Sequence, residues 1–168
     1  SGERALPLEH LWIGPGATAA DPRELLVRVD LPAPAPATGS AYVRLEYRRQ
    51  MEIAVVGVTA VVRLDAGSVS DARVAITALA PTIRRVSEAE AALIGSDGGD
   101  EAIDEAARAA ASGSSPITDV RSSAEYRSAM ANVIARRAIV VALARARGEH
   151  VPIPASAATY ASVGGTST

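Results

Sequence analysis

The chain has no cysteine, no phenylalanine and only two histidines among its 168 residues. Without cysteine it forms no disulfide, no thiolate metal site and no iron–sulfur cluster of its own. His10 and His150 stand near opposite ends with no neighbouring ligand pair. Zinc needs three or four converging ligands, so a metal-free chain is expected. Aromatic residues make up only 3% against 48% hydrophobic residues overall, so the core must be built from Ala, Val, Leu and Ile packed closely. Lysine is also absent: all seventeen basic residues are arginine, a compositional habit that bears on one position below. The net charge of −2 provides no basic field for nucleic acid or an anionic membrane, and neither is expected as a partner. There is no leader and no apolar run of about 18 residues, so no membrane span and a cytoplasmic location are expected.

What is present is organised around residues 42–79, which begin at Tyr42 and end at Leu79. They read as three successive strands joined by a polar elbow and a tight turn, with Arg44, Arg48 and Arg49 clustered at the start. From Ile53, one face of the second strand is Ala54, Val56, Val58, Ala60, Val62 and Leu64; the other is Ile53, Val55, Gly57, Thr59, Val61 and Arg63. A strand apolar on both faces belongs in the middle of a sheet, covered for most of its length. Asp65-Ala66-Gly67-Ser68 supplies hairpin chemistry. The returning strand turns Ser70, Ala72, Val74, Ile76 and Ala78 inward, and its pairing is antiparallel because the connection is short.

Before this stretch, residues 1–32 hold an apolar segment, Leu6 to Ile13, broken by the Gly14-Pro15-Gly16 turn. ELLVRVDLP follows, whose alternation is strand grammar. Residues 33–39, APAPATG, read as an extended Pro-Ala linker. After Pro81 the period changes to that of helices. Ser87 with Glu90 has the spacing of a capping box that opens a short helix stopped by Gly95. Asp100 to Ala111 forms an Ala-rich helix ended by Gly113. Ser122 with Glu125 opens the longest helix, to about Arg147, with Tyr126, Met130, Val133, Ile134 and Val141 as its apolar stripe and Tyr126 as its first anchor. Arg136, Arg137, Arg145 and Arg147 are expected as a solvated basic end favoured by the helix dipole. Residues 149–168 read as a flexible tail. The expected fold class is α+β, a three-stranded antiparallel sheet packed against about three helices.

Taken in order, ALPLEHLWIGPG, ELLVRVDLP, AYVRLEYRRQMEIAVVGV, VAITALAPTIRRVSEAEAALIG and DVRSSAEYRSAMANVIARRAI resemble one family. They are similar to the C-terminal part of the FAD-carrying medium subunit of molybdenum hydroxylases, the group that includes carbon monoxide dehydrogenase and xanthine dehydrogenase. The match runs to about Gly148; each motif alone is weakly specific, and their order and spacing carry the signal. The resemblance divides the chain into 1–32, the trailing segment of an FAD-binding module; 33–39, linker; 40–148, the flavoprotein C-terminal domain; and 149–168, tail. No Gly-rich loop suited to a diphosphate occurs, so the N-terminal FAD module is expected on a cleaved, split or absent piece.

In that family the flavin ring lies between the two modules, and the resemblance implies which residues reach it. Leu26 would pack on the ring. Tyr42-Val43-Arg44, Arg48-Arg49 and Glu52-Ile53-Ala54 stand where the family has Tyr-x-Lys, Arg-Arg and Asp-Ile-Ala. Arg44 thus matches a lysine that approaches the flavin, and Ile53 a residue on the loop bordering it. Arg for Lys at 44 and Glu for Asp at 52 keep charge while changing reach. A fixed cation near the pyrimidine edge stabilises the anionic reduced ring, so Arg44 is expected to tune or bind FAD. Arg48 and Arg49 read more plainly as a solvated edge. Ile53 at the head of a core strand is a core residue by default, and Tyr42 and Tyr47 need no ligand to explain them on a sheet edge.

The function implied is electron relay: substrate is hydroxylated at molybdenum, and electrons cross [2Fe–2S] clusters to FAD and then to an external acceptor. Molybdopterin would sit on a large partner subunit and the [2Fe–2S] clusters on a small one, with FAD shared between this chain and the N-terminal FAD module. No residue here resembles a nucleophile or a general base in a dyad, so the chain alone should be inert. A stand-alone, non-catalytic interaction module that keeps the fold without flavin is the alternative; retention of ELLVRVDLP, apolar without a partner, favours the flavoprotein.

Overall fold

The computed structural model describes residues 2–48 and 51–155. Arg49 and most of the expected tail, from residue 156 onward, lie outside the described residues. A small hairpin, β1 (Trp12–Gly14) with β2 (Ala17–Thr18), follows a 3-10 turn at Leu8–His10. The body comprises β3 (Thr38–Leu45), β4 (Val56–Asp65), β5 (Ser68–Thr77) and β6 (Arg84–Arg85), then α1 (Ser87–Leu93), α2 (Asp100–Ser112) and α3 (Ala124–Ala146).

The architecture is α+β with three α-helices, and the main sheet has four antiparallel strands in the order β3-β4-β5-β6 instead of three. The extra strand is two residues long, too short to have a period in sequence, and pairs Ala75 with Arg85 and Ile76 with Arg84. β4 is central, as its two apolar rows require, and the β4–β5 hairpin closes at Asp65 and Ser68 through Ala66 and Gly67, both at positive φ, as a type I′ turn demands. A bulge between Arg63 and Leu64 makes Ser70 the extra residue, so that Val69 takes the buried place expected of Ser70.

One face of the sheet is covered. α3 lies against β3 and β4, α1 lies against β5, and α2 packs on both helices. Val43, Val58, Ala60, Val62, Val74 and Ile76 are buried on that side. The other face is only half covered, with Thr59, Val61, Ala75 and Thr77 intermediate and Ser40 and Tyr42 exposed. The expectation that β4 is covered on both faces therefore holds for one, because no described element crosses the second.

Five local expectations change. ELLVRVDLP has no strand partner among the described residues, and Leu25, Leu26, Val27, Val29 and Leu31 are all exposed. Alternation creates a strand-forming ribbon, but a strand forms only where an edge is available to pair. The Ser87–Glu90 capping box does not form: α1 has no side-chain cap, because Glu90 is engaged by Arg85 and the Val74 amide. α3 begins one residue later than expected, with Ser123 Oγ accepting from the Tyr126 amide, while Ser122 is drawn into a turn with Asp119. The buried face of α3 is mostly small: Ala131, Ala135, Ala138, Ala142 and Ala146 alternate with Ile134, Ile139, Val141 and Leu143, so that Ile134 and Val141 of the expected stripe are buried, whereas Tyr126 is 46% exposed. The basic end is likewise structural as well as solvated. Arg145 donates to Ser40 O at 2.6 Å and Pro152 O at 2.7 Å, Arg147 donates to Asp97 O at 3.1 Å, and Arg136 pairs with Asp100 and Asp104.

Candidate functional site

Strand alternation sets Tyr42, Arg44 and Glu46 in one row on the open face of β3, opposite Ala41, Val43 and Leu45, which face the helices. The register places Arg44 across from Gly57 and Gly57 across from Thr77. Gly57 is required there. A Cβ on it would stand 2.7 Å from the Tyr42 hydroxyl, 3.1 Å from its ring edge and 2.3 Å from Thr77 Oγ1. The missing side chain leaves room for the hydroxyl and ring edge of Tyr42 over β4. Thr77 Oγ1 is buried and has no hydrogen-bond partner among the described residues, an arrangement that costs free energy.

Arg44 Nε stands 2.5 Å from Glu46 Oε2, with the Arg44 side chain 33% exposed. The contact is an ion pair without hydrogen-bond geometry, since Glu46 Oε2 is itself buried without a hydrogen-bond partner. In the elbow between β3 and β4, Glu52 is largely covered and lies 3.4 Å from Arg48, which also donates to Met51 O at 2.9 Å. Glu52 turns back to accept from the Ile53 amide at 3.1 Å. Ile53 is 63% exposed and lies before β4, which starts at Val56; it is a loop residue and not the core residue its apolar neighbours suggest. The elbow is closed at its base by the Val55 amide donating to Leu45 O at 2.9 Å.

Of the five residues singled out in sequence, Tyr42 and Arg44 share the open face beside Gly57, and Glu52 and Ile53 sit in the adjoining elbow. Leu26 is 77% exposed on the ribbon that pairs with no described strand. Among the described residues, no group of three or more His, Cys, Asp or Glu converges as a metal site.

Sequence reasoning missed Arg127. It is only 3% exposed, on α3, yet it carries a full guanidinium charge into the body. Its Nη1 donates to Val55 O at 2.8 Å and Ala78 O at 3.3 Å, and its Nη2 donates to Asp119 Oδ1 at 2.7 Å. Asp119 also accepts from the Arg121 amide at 2.8 Å and from its guanidinium. Those bonds, the Arg121 amide first and the two guanidinium groups after it, hold the Asp119 carboxyl well below the usual carboxylate range. The signal was there to find: Arg127 precedes Ala131 by four and Ile134 by seven, which sets a charged residue on the apolar stripe of α3.

Comparisons with known proteins bear on this geometry. Residues 41–142 match the family described as the CO dehydrogenase flavoprotein C-terminal domain. The carbon monoxide dehydrogenase medium chain of Hydrogenophaga pseudoflava is 34% identical over 145 residues, which is 86% of this chain and 50% of that one. The 6-hydroxypseudooxynicotine dehydrogenase complex subunit alpha of Paenarthrobacter nicotinovorans is 35% identical over 147 residues, 87% of this chain and 49% of that one. Among solved structures, carbon monoxide dehydrogenase from Hydrogenophaga pseudoflava, in a form lacking the Mo-pyranopterin moiety of its cofactor, superposes with a TM-score of 0.80 at 38% identity, covering 84% of this chain and 49% of that one. Quinoline 2-oxidoreductase from Pseudomonas putida 86 gives 0.73 at 27% identity, over 83% and 47%. The chain spans about half the length of the curated relatives it matches.

Proposed function

Because the chain belongs to the CO dehydrogenase flavoprotein C-terminal domain family, we propose that it completes the FAD pocket of a molybdenum-hydroxylase flavoprotein subunit and serves electron transfer there. The partners in this reading are an N-terminal FAD module, a small iron–sulfur subunit and a large molybdopterin subunit, in a cytoplasmic complex; no described helix is long and apolar enough to cross a membrane. When bound, FAD supplies the two-electron exchange between the iron–sulfur clusters and an external acceptor. Residues 1–32 trail from the FAD module, 33–39 link, 40–148 form the domain and 149–168 the tail. Burial supports the separation of the leading segment, since no described residue before Gly39 is buried, but the body reaches past the other two limits: Thr38 and Gly39 belong to β3, and Ala155 is buried in the core.

The observation that carries the reading is the half-covered sheet face of β3, which offers an exposed Tyr42 ring beside a part-exposed Arg44 cation. An aromatic surface next to a cation fits the polar edge of a flavin ring, which presents acceptors to a positive charge. Arg44 holds positive charge at that edge, Tyr42 and Ile53 border the ring, Glu52 orients the loop on which Ile53 sits, and Leu26 covers the ring from the trailing segment.

In the intact flavoprotein complex, Arg44→Gln is expected to lower the flavin two-electron potential by on the order of 30 mV, equivalent to about 1.4 kcal/mol, or to release flavin on desalting. Unchanged potential and unchanged retention would remove the assignment. One observation favours a second reading: Arg44 is already neutralised by Glu46. A stand-alone interaction module would use that pair as ordinary structure, and the protein purified with everything that accompanies it would then show no flavin absorbance.

A further inference from the structure

We infer that Arg127, locked by Asp119, is a positioning residue that sets the 46–54 elbow against the sheet and thereby places Glu52 and Ile53; this rests on the flavin reading above. The elbow leaves the sheet after Leu45 and returns at Val55, and the 119–127 turn grips both of its ends. At the leaving end the Tyr47 hydroxyl donates to Arg121 O. At the returning end Arg127 donates to Val55 O at 2.8 Å, while reaching Ala78 O just beyond β5. Asp119 joins the two grips, since it binds Arg121 and Arg127 with the same carboxylate.

A purely structural filler would not need to be an arginine. The rest of the buried face of α3 is Ala, Ile, Val and Leu, and an apolar side chain commonly replaces a buried ion pair without loss of stability. Arg127 stands there although its Nε is buried without a hydrogen-bond partner among the described residues. Its planar fork reaches acceptors on three segments at once, two carbonyls and a carboxylate, which lysine presents no geometry to do. Between the grips Arg48, Met51 and Ile53 are exposed, and Met51 holds a left-handed backbone with φ 50°, a conformation that persists in a non-glycine residue where its surroundings fix it. Glu52 and Ile53 follow directly.

The test uses the intact flavoprotein complex with Arg127→Lys, which keeps the charge and loses the fork, and Tyr47→Phe, which removes one bond at an exposed site. Amide exchange across 51–55, the visible spectrum of the flavin and its dissociation constant are read for each. The expected result is faster exchange in the elbow with unchanged exchange in β4 and β5, an altered flavin spectrum, and FAD binding weaker on the order of tenfold for Arg127→Lys, the scale on which supporting residues act through the groups they orient. If Arg127→Lys does not fold, Tyr47→Phe carries the test, with the same pattern at smaller amplitude. Faster elbow exchange with flavin spectrum and affinity unchanged would make the clamp merely structural and overturn the inference. Unchanged elbow exchange would overturn it as well. Should Arg44→Gln move the flavin while both clamp variants do not, the clamp alone fails; a wild-type complex that carries no flavin removes both it and the reading beneath it.

Discussion

Glu90 brings a carboxylate to the rim of the core, where it is 8% exposed. It accepts from the Val74 amide at 3.1 Å and from Arg85 at 2.9 and 2.7 Å, so one side chain closes the outer edge of β5 and ties β6 to α1. The Glu90 carboxylate raises the Arg85 pKa, chiefly by hydrogen bonding. Arg85 itself is half exposed, and water screens its share of the pair. The Val74 amide is different, because without Glu90 it has no acceptor in a buried place. Glu90→Ala is therefore expected to cost about 1–3 kcal/mol, and Glu90→Gln less, since the amide oxygen still receives the Val74 N–H. Urea unfolding of the two variants checks this, and equal losses would show that the charge, not the satisfied amide, is what matters. In sequence Glu90 was visible only as the last letter of a capping box with Ser87. The spacing was right, but a carboxylate takes the strongest donor within reach, and a guanidinium five residues back outcompetes a helix N–H.

At the scale of elements, the join between β3 and α3 sets the depth of the body. Gly39 lies so near the helix that a Cβ on it would stand 2.0 Å from Ala142 O and 2.3 Å from Ala146 N. Both obstacles are backbone, so no rotamer change can make room. The alanine ridge of α3 makes this approach possible, and Arg145 fastens it by donating to Ser40 O at 2.6 Å. Gly39→Ala is expected to cost about 1–3 kcal/mol by prising strand from helix, while Ser40→Ala, at an exposed neighbour, should stay within about 0.5 kcal/mol. Paired thermal denaturation would decide it; a Gly39→Ala protein as stable as the Ser40 variant would mean that β3 shifts without penalty. The strand itself was legible from Tyr42 onward because alternation is a local signal. Its first residues were not: Thr38 and Gly39 close the APAPATG run and read as linker, and only a helix arriving from a hundred residues away gives that glycine its reason. The same limit hid Arg127, whose three acceptors come from three separate segments.

For the whole molecule, burial divides the described chain unevenly. Residues 2–37 contain no buried position, and the core is drawn from residues 41–155. The leading part is held to itself by exposed pairs, Arg4 with Glu24 and Arg28 with Glu3 and Asp30, and the first of these lowers the Glu24 pKa to about 2. Such pairs are screened and contribute little to folding. Among the described residues, no hydrogen bond or ion pair joins residues 2–33 to the body, although Glu9 is near enough to Arg85 to help raise its pKa. Hence the strand grammar of ELLVRVDLP has no counterpart in the body: its partner edge is not one of the four strands. Removing residues 1–33 should therefore leave the unfolding free energy of the rest within about 0.5 kcal/mol, because no buried apolar area or satisfied backbone is lost. It should also reduce association at high concentration, since Leu25, Leu26, Val27, Val29 and Leu31 are all exposed on one short segment. Urea unfolding and sedimentation of the long and short chains measure both effects. A loss above about 1.5 kcal/mol would mean that the leading segment docks on the sheet in solution, with the open face around Tyr42 and Val61 as the surface wide enough to receive it.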